Sequence, residues 1–196
     1  MQRSAIGLLL ALALLAASLA TEAQSPTHVH RIGWLAGTTP ERDRNVDVEA
    51  FREGMRALGY VEGQNLVLEE RWAEGQYERF PDLAAELVRL KVDVLLSVNT
   101  PGALAAKDAT TTLPIVMAGV GDPVESGLVA SLAQPGGNVT GLASLAPDLV
   151  GKQLEFLKDM LPTVSRVALL WNPANLAHAL IVREANVAAQ RLGVQL

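Results

Sequence analysis

Two internal runs constrain this chain more than anything else in it. Val92–Val98 (VDVLLSV) and Leu113–Ala118 (LPIVMA) are short, nearly continuous apolar stretches bounded by Gly, Pro or Asn. Runs of that length, rich in Val and Ile, read as strands, which excludes a helical bundle. Neither run alternates with polar residues, so both faces of each strand must be covered. That is the condition of a parallel sheet between layers of helix. The connections are too long for hairpins and suit right-handed crossovers.

The rest of the chain follows the same alternation. His30–Ala36 (HRIGWLA) is expected as a strand, then a helix with Val48, Phe51, Met55 and Leu58 on one face, stopped by Gly59. Leu66–Trp72 is the next strand. Phe80, Leu83, Ala84, Leu87 and Val88 then form a helical stripe with Pro81 in its first turn. A helix over 103–109 follows the first apolar run, and a short helix over 125–133 follows the second. Val139–Leu142 is expected as a short strand after the turn cluster Gln134-Pro-Gly-Gly-Asn138. The fold class is therefore α/β, a parallel sheet flanked by helices.

After residue 145 the pattern starts again. Val150, Leu154, Leu157 and Leu161 make a helical stripe closed by Pro162. Arg166–Trp171 (RVALLW) echoes Arg31–Leu35 (RIGWL), since a basic residue opens each strand and each carries a Trp. A last helix carries Ala177, Ile181, Ala185, Ala188 and Leu192 and ends at Gly193. The expected organisation is a first lobe over 24–144, then a hinge-proximal helix and the beginning of a second α/β lobe over 145–196.

Residues 1–23 are read as a signal peptide. Arg3 supplies the positive start, and Ala5–Ala17 is an apolar run of 13 residues. That suits a signal core and falls short of the about 20 residues that span a bilayer. Cleavage fits after Ala20 or after Ala23, and the second is preferred. The expected location is periplasmic or secreted, with no stable membrane insertion after cleavage.

Composition enters by exclusion. The formal net charge is -5, opposite to the basic footprint of a nucleic-acid binder, so no nucleic-acid partner is expected. There is no Cys, which removes disulfides, thiolate metal sites, a Cys nucleophile and a lipid-anchored N-terminus. No G-x-S-x-G, P-loop or H-E-x-x-H is present, so the chain is read as a non-enzyme with no cofactor. His28 and His30 can sit on one side of an extended segment, where they would meet a metal. No third ligand lies near them in sequence, so they are read as exposed and no metal site is expected.

What the sequence offers is a row of polar loops after the strands: Gly37-Thr38-Thr39, Asn99-Thr100-Pro101, Gly119-Val120-Gly121-Asp122 and Asn172-Pro173. In open α/β sheets that edge binds ligands. Helix N-termini there present N–H groups and a positive dipole end to a carboxylate. Thr38, Thr39, Asn99, Thr100, Gly121, Asp122 and Asn172 are the candidate ligand-binding residues. For each Thr, Asn or Asp taken singly, helix capping is the competing assignment.

Several of these residues also carry a family resemblance. Ser97–Lys107 (SVNTPGALAAK), Leu113-Pro-Ile-Val116, Gly121–Val129 (GDPVESGLV) and Gln134–Gly141 (QPGGNVTG) resemble the ABC transporter substrate-binding proteins of the tryptophan/tyrosine type. Gly54–Tyr60 and Trp171-Asn172-Pro173 extend the likeness. The resemblance implies a type 1 periplasmic-binding-protein fold, two lobes closing on a small amino-acid-like or carboxylate ligand. It implies partnership with an ABC permease and its ATPase. It places Thr38, Thr100 and Asp122 at the cleft from the first lobe and Asn172 from the second. Family members continue the second lobe through further βα units, so the expectation is a second lobe cut short. A ligand-sensing domain of a receptor shares this fold and is the alternative; a small α/β enzyme would need a nucleophile or cofactor loop.

Overall fold

The structure is a computed structural model and describes residues 28–43, 47–144 and 146–196. The expected signal peptide and both cleavage points lie outside the described residues. The elements in chain order are β1 (His30–Ala36), α1 (Pro40–Asp43), α2 (Glu49–Ala57), β2 (Leu66–Trp72), α3 (Phe80–Arg89) and β3 (Val94–Ser97). They continue with α4 (Thr100–Ala109), β4 (Ile115–Gly121), β5 (Val139–Ser144), α5 (Ala146–Met160) and α6 (Leu176–Leu192).

The five strands form one sheet in the order β2-β1-β3-β4-β5, and every pairing is parallel. The chain thus fills the sheet outward from β1 on both sides, so the ends of β1, β3 and β4 meet at the centre of one edge. β1 shows why its apolar run does not alternate. Ile32, Trp34 and Ala36 belong to one buried cluster, with Val48 and the ring of Phe51 from α2. Leu35 belongs to another, with Phe80, Leu83 and Leu87 of α3 and Ala103 and Ala106 of α4. Successive side chains point to opposite faces, and both faces are covered. Burying each large apolar side chain in these clusters contributes about 1.5–3 kcal/mol.

A third, smaller cluster joins α5 to α6 through Val150, Leu154, Ala185, Ala189 and Val194. Gly193 ends α6 in the left-handed conformation at φ 63°, and the Val194 N–H returns to the Ala189 carbonyl at 2.9 Å.

Four sequence expectations are corrected. Residues 125–133 form turns instead of a helix. The N–H groups of Leu128 and Val129 both donate to the Pro123 carbonyl, and Gly127 takes φ 76°. That closes a tight loop where a helix would have to continue. Arg166–Trp171 is not a strand, because among the described residues it finds a parallel partner only at Gln195. Leu58 lies past the end of α2 and is 74% exposed. Helix α4 begins at Thr100, not residue 103, because the Asn99 side chain caps it.

Candidate functional site

The carboxyl edge of the sheet is organised around Asn99 and Thr100. The Asn99 side-chain oxygen accepts the Gly102 N–H at 2.8 Å, which opens α4 directly after β3. Thr100 is 2% exposed, and its hydroxyl oxygen accepts the Gly121 N–H at 3.3 Å. This bond ties the start of α4 to the end of β4. The acceptor side of the Thr100 hydroxyl is used, and its proton remains for a further partner.

β4 reaches this point through an irregularity. Its register against β5 shifts between Met117 and Val120, with Gly119 at φ 69°. The extra residue turns the strand end toward α4.

Asn99, Thr100, Gly119 and Gly121 line a cavity of about 110 Å³ that is completed by Ser144 and by Asn175, Ala177, His178 and Ile181. Two helices therefore begin at one cavity, α4 capped by Asn99 and α6 capped by Asn175. The Asn175 side-chain oxygen accepts the Ala177 N–H at 3.1 Å, leaving its amide NH₂ as a donor. His178 Nδ1 accepts the Asn172 N–H at 3.1 Å. That bond assigns the imidazole proton to Nε2, a donor on a residue lining the cavity. The cavity thus combines two positive helix ends with hydroxyl, amide and imidazole donors, a set matched to a carboxylate.

The sequence candidates divide accordingly. Asn99, Thr100 and Gly121 come together at the cavity. Thr39 is exposed and Thr38 is half-buried, and neither lines it. The Thr38 hydroxyl is buried with no partner among the described residues, while its carbonyl accepts the Glu74 N–H at 3.2 Å. Asp122 uses Oδ1 to accept the N–H groups of Val124 at 3.2 Å and Glu125 at 2.9 Å, so it caps the turn that follows. Asn172 likewise accepts the Ala174 N–H at 3.0 Å and reaches the cavity only by supporting His178. Sequence reasoning missed Asn175 and His178. The available signal was Asn175 immediately before the apolar pattern of α6, the position of an N-cap.

A second, larger hollow of about 390 Å³ is lined mainly by apolar groups, among them Trp34, Phe51, Leu96 and Val98. Among the described residues it offers one carboxylate, Asp47, and no cluster of donors.

A five-stranded parallel sheet flanked by helices, with a donor-lined cavity at its carboxyl edge, defines a periplasmic-binding-protein-like fold. The solved structure of a conserved domain protein from Vibrio cholerae O1 biovar eltor superposes with a TM-score of 0.78 at 32% identity, over 86% of this chain and 56% of that one. An ABC domain from Streptococcus pneumoniae, solved in complex with L-Trp, gives a TM-score of 0.73 at 27% identity, over 85% of this chain and 55% of that one. The family model described as ABC transporter substrate binding protein matches residues 40–196, and the chain belongs to that family. A tyrosine-binding protein of Clostridioides difficile is 34% identical over 124 residues. This match covers 63% of the chain and 35% of that relative, so the chain spans about a third of the curated relative's length. The family consists of binding proteins, not enzymes. Among the described residues no helix is long and apolar enough to cross a membrane.

Proposed function

We propose that this chain carries the ligand-recognition edge of the extracytoplasmic component of an ABC importer, and that its ligand is an amino acid, with aromatic amino acids the first candidates. The observation that carries the reading is the convergence of two capped helix N-termini, α4 and α6, on one cavity lined by Thr100, Asn175 and His178. The ligand carboxylate accepts from the Thr100 hydroxyl and His178 Nε2. Tyrosine for the Clostridioides difficile relative and L-Trp for the Streptococcus pneumoniae domain support an aromatic side chain on the ligand.

The cavity of about 110 Å³ is well below the roughly 300–1,000 Å³ of whole-ligand pockets. It takes the carboxylate end, and the side chain extends outward between residues 24–144 and residues 145–196, which act as first lobe and second-lobe segment. Delivery is to a permease driven by an ATPase, after export to the periplasm or cell exterior. A thermal-shift panel of amino acids and small carboxylates tests the ligand class. Aromatic amino acids are expected to raise the melting midpoint, and decarboxylated analogues such as tyramine to leave it unchanged. Equal effects from tyramine and tyrosine would contradict the carboxylate assignment.

A further inference from the structure

We propose that His28, His30 and Asp93 form a binding site for one zinc-class divalent cation at the amino edge of the sheet. Their ligand atoms all lie within 4.8 Å of one another. The site is independent of the cavity at the carboxyl edge, because β1 with its 7 residues separates the two by about 20 Å.

The backbone brings these groups together. His28 and His30 are two residues apart along the extended lead into β1, and side chains at that spacing share a side. The parallel pairing of Ile32 with Val94 sets Asp93 beside Arg31. Asp93 and Arg31 then exchange bonds: the Asp93 N–H donates to the Arg31 carbonyl at 2.7 Å, and Asp93 Oδ2 accepts the Arg31 N–H at 2.7 Å. The carboxylate is thereby held in place beside the two imidazoles.

The imidazoles are positioned as well. The His30 ring packs edge-on against Tyr60 at 5.2 Å, and the His28 ring stands edge-on to His30 at 4.6 Å. His28 Nε2 already lies 3.8 Å from Asp93 Oδ2. Zinc binds imidazole nitrogen at about 2.0–2.1 Å and carboxylate oxygen at about 2.0–2.2 Å, so the three groups must draw in by roughly 1 Å. The His28 side chain is 70% exposed, which leaves its ring room for this rotation. Two imidazoles and a carboxylate form a mixed N/O set suited to zinc, copper or nickel, not to calcium or magnesium. Water completes the coordination. The bound ion fastens the segment ahead of β1 to the start of β3.

The test uses the tag-free, chelator-stripped chain and zinc chloride alone, titrated calorimetrically at pH 7.5. One zinc per chain is expected. His30→Gln and Asp93→Asn are each expected to weaken binding at least about tenfold, the size of effect seen when metal-site partners are lost. In the unmodified chain, imidazole NMR signals of His28 and His30 are expected to move on zinc addition while those of His178 stay in place. No saturable zinc binding, variants that bind like the unmodified chain, or a shift of His178 without the other two would overturn the proposal.

Discussion

Arg183 of α6 grips both carboxylate oxygens of Glu125, the loop residue that follows β4; its Nη1 donates to Oε1, and its Nη2 donates to Oε2 at 3.0 Å. The two residues are 58 positions apart, and the pair joins the sheet's carboxyl edge to the helix that completes the cavity. Two N–H···O bonds in a fork fix direction as well as distance, which a lone lysine would not do.

The pair titrates in a defined sense. The hydrogen bond from Arg183 holds the Glu125 carboxyl below its ordinary value, and the same contact raises the Arg183 guanidinium. A carboxyl lowered in the folded state adds stability above its unfolded pKa of about 4.3 and loses it as pH falls through the lower folded value. Glu125→Gln is therefore expected to lower the melting midpoint slightly at pH 7. The difference between the two proteins should vanish in acid below the folded pKa, and also in about 1 M salt, where exposed ion pairs are screened. Paired melting curves across pH and salt check this.

Thr100 anchors the cavity by accepting the Gly121 N–H at its hydroxyl. Thr100→Val keeps the shape but leaves the Gly121 N–H buried without its acceptor, at a cost of about 1–3 kcal/mol. Thr100→Ser restores the acceptor and is expected to recover most of the loss. Urea unfolding of the three proteins reads the order directly.

Asn99 is expected to matter for stability first. Asn99→Ala removes the cap on the Gly102 N–H and should cost about 0.5–2 kcal/mol. Asn99→Asp keeps the acceptor and should cost less, which chemical denaturation will show.

Gly141 permits the pairing of β4 with β5. It sits at φ 139°, and a Cβ there would fall 2.0 Å from the Met117 carbonyl oxygen. Gly141→Ala forces the two backbones apart, and is expected to destabilise the fold by more than the about 1–3 kcal/mol typical of overpacking. Amide exchange along β5 locates the damage.

These residues also show where sequence reasoning reaches and where it stops. Leu35 and Trp34, adjacent in β1, face different clusters, and the unbroken apolar run already implied two covered faces. Asn99 was legible because a cap and its helix are local. His178 was not, because it enters the cavity through the packing of α6 against the sheet edge, and nothing near it in sequence refers to Thr100. Asn172 and Asn175 look alike in a loop interrupted by Pro173, and only the true start of α6 separates the supporting residue from the lining one. The helix expected over 125–133 failed because local periodicity does not register a carbonyl, that of Pro123, that accepts two N–H groups and closes a turn. Asp93 joins His28 and His30 only through the β1–β3 register.

The central claim is that an amino-acid carboxylate binds between Thr100 and His178. The most direct measurement is calorimetric titration of L-tyrosine and L-tryptophan into the unmodified chain, Thr100→Ser and His178→Leu, the last lacking any side-chain donor. One site per chain is expected for at least one of the two ligands. Affinity should be kept in Thr100→Ser and weakened about tenfold or more in His178→Leu, the loss of one charge-assisted hydrogen bond. Absence of binding by either amino acid, or unchanged affinity in His178→Leu, would contradict the account.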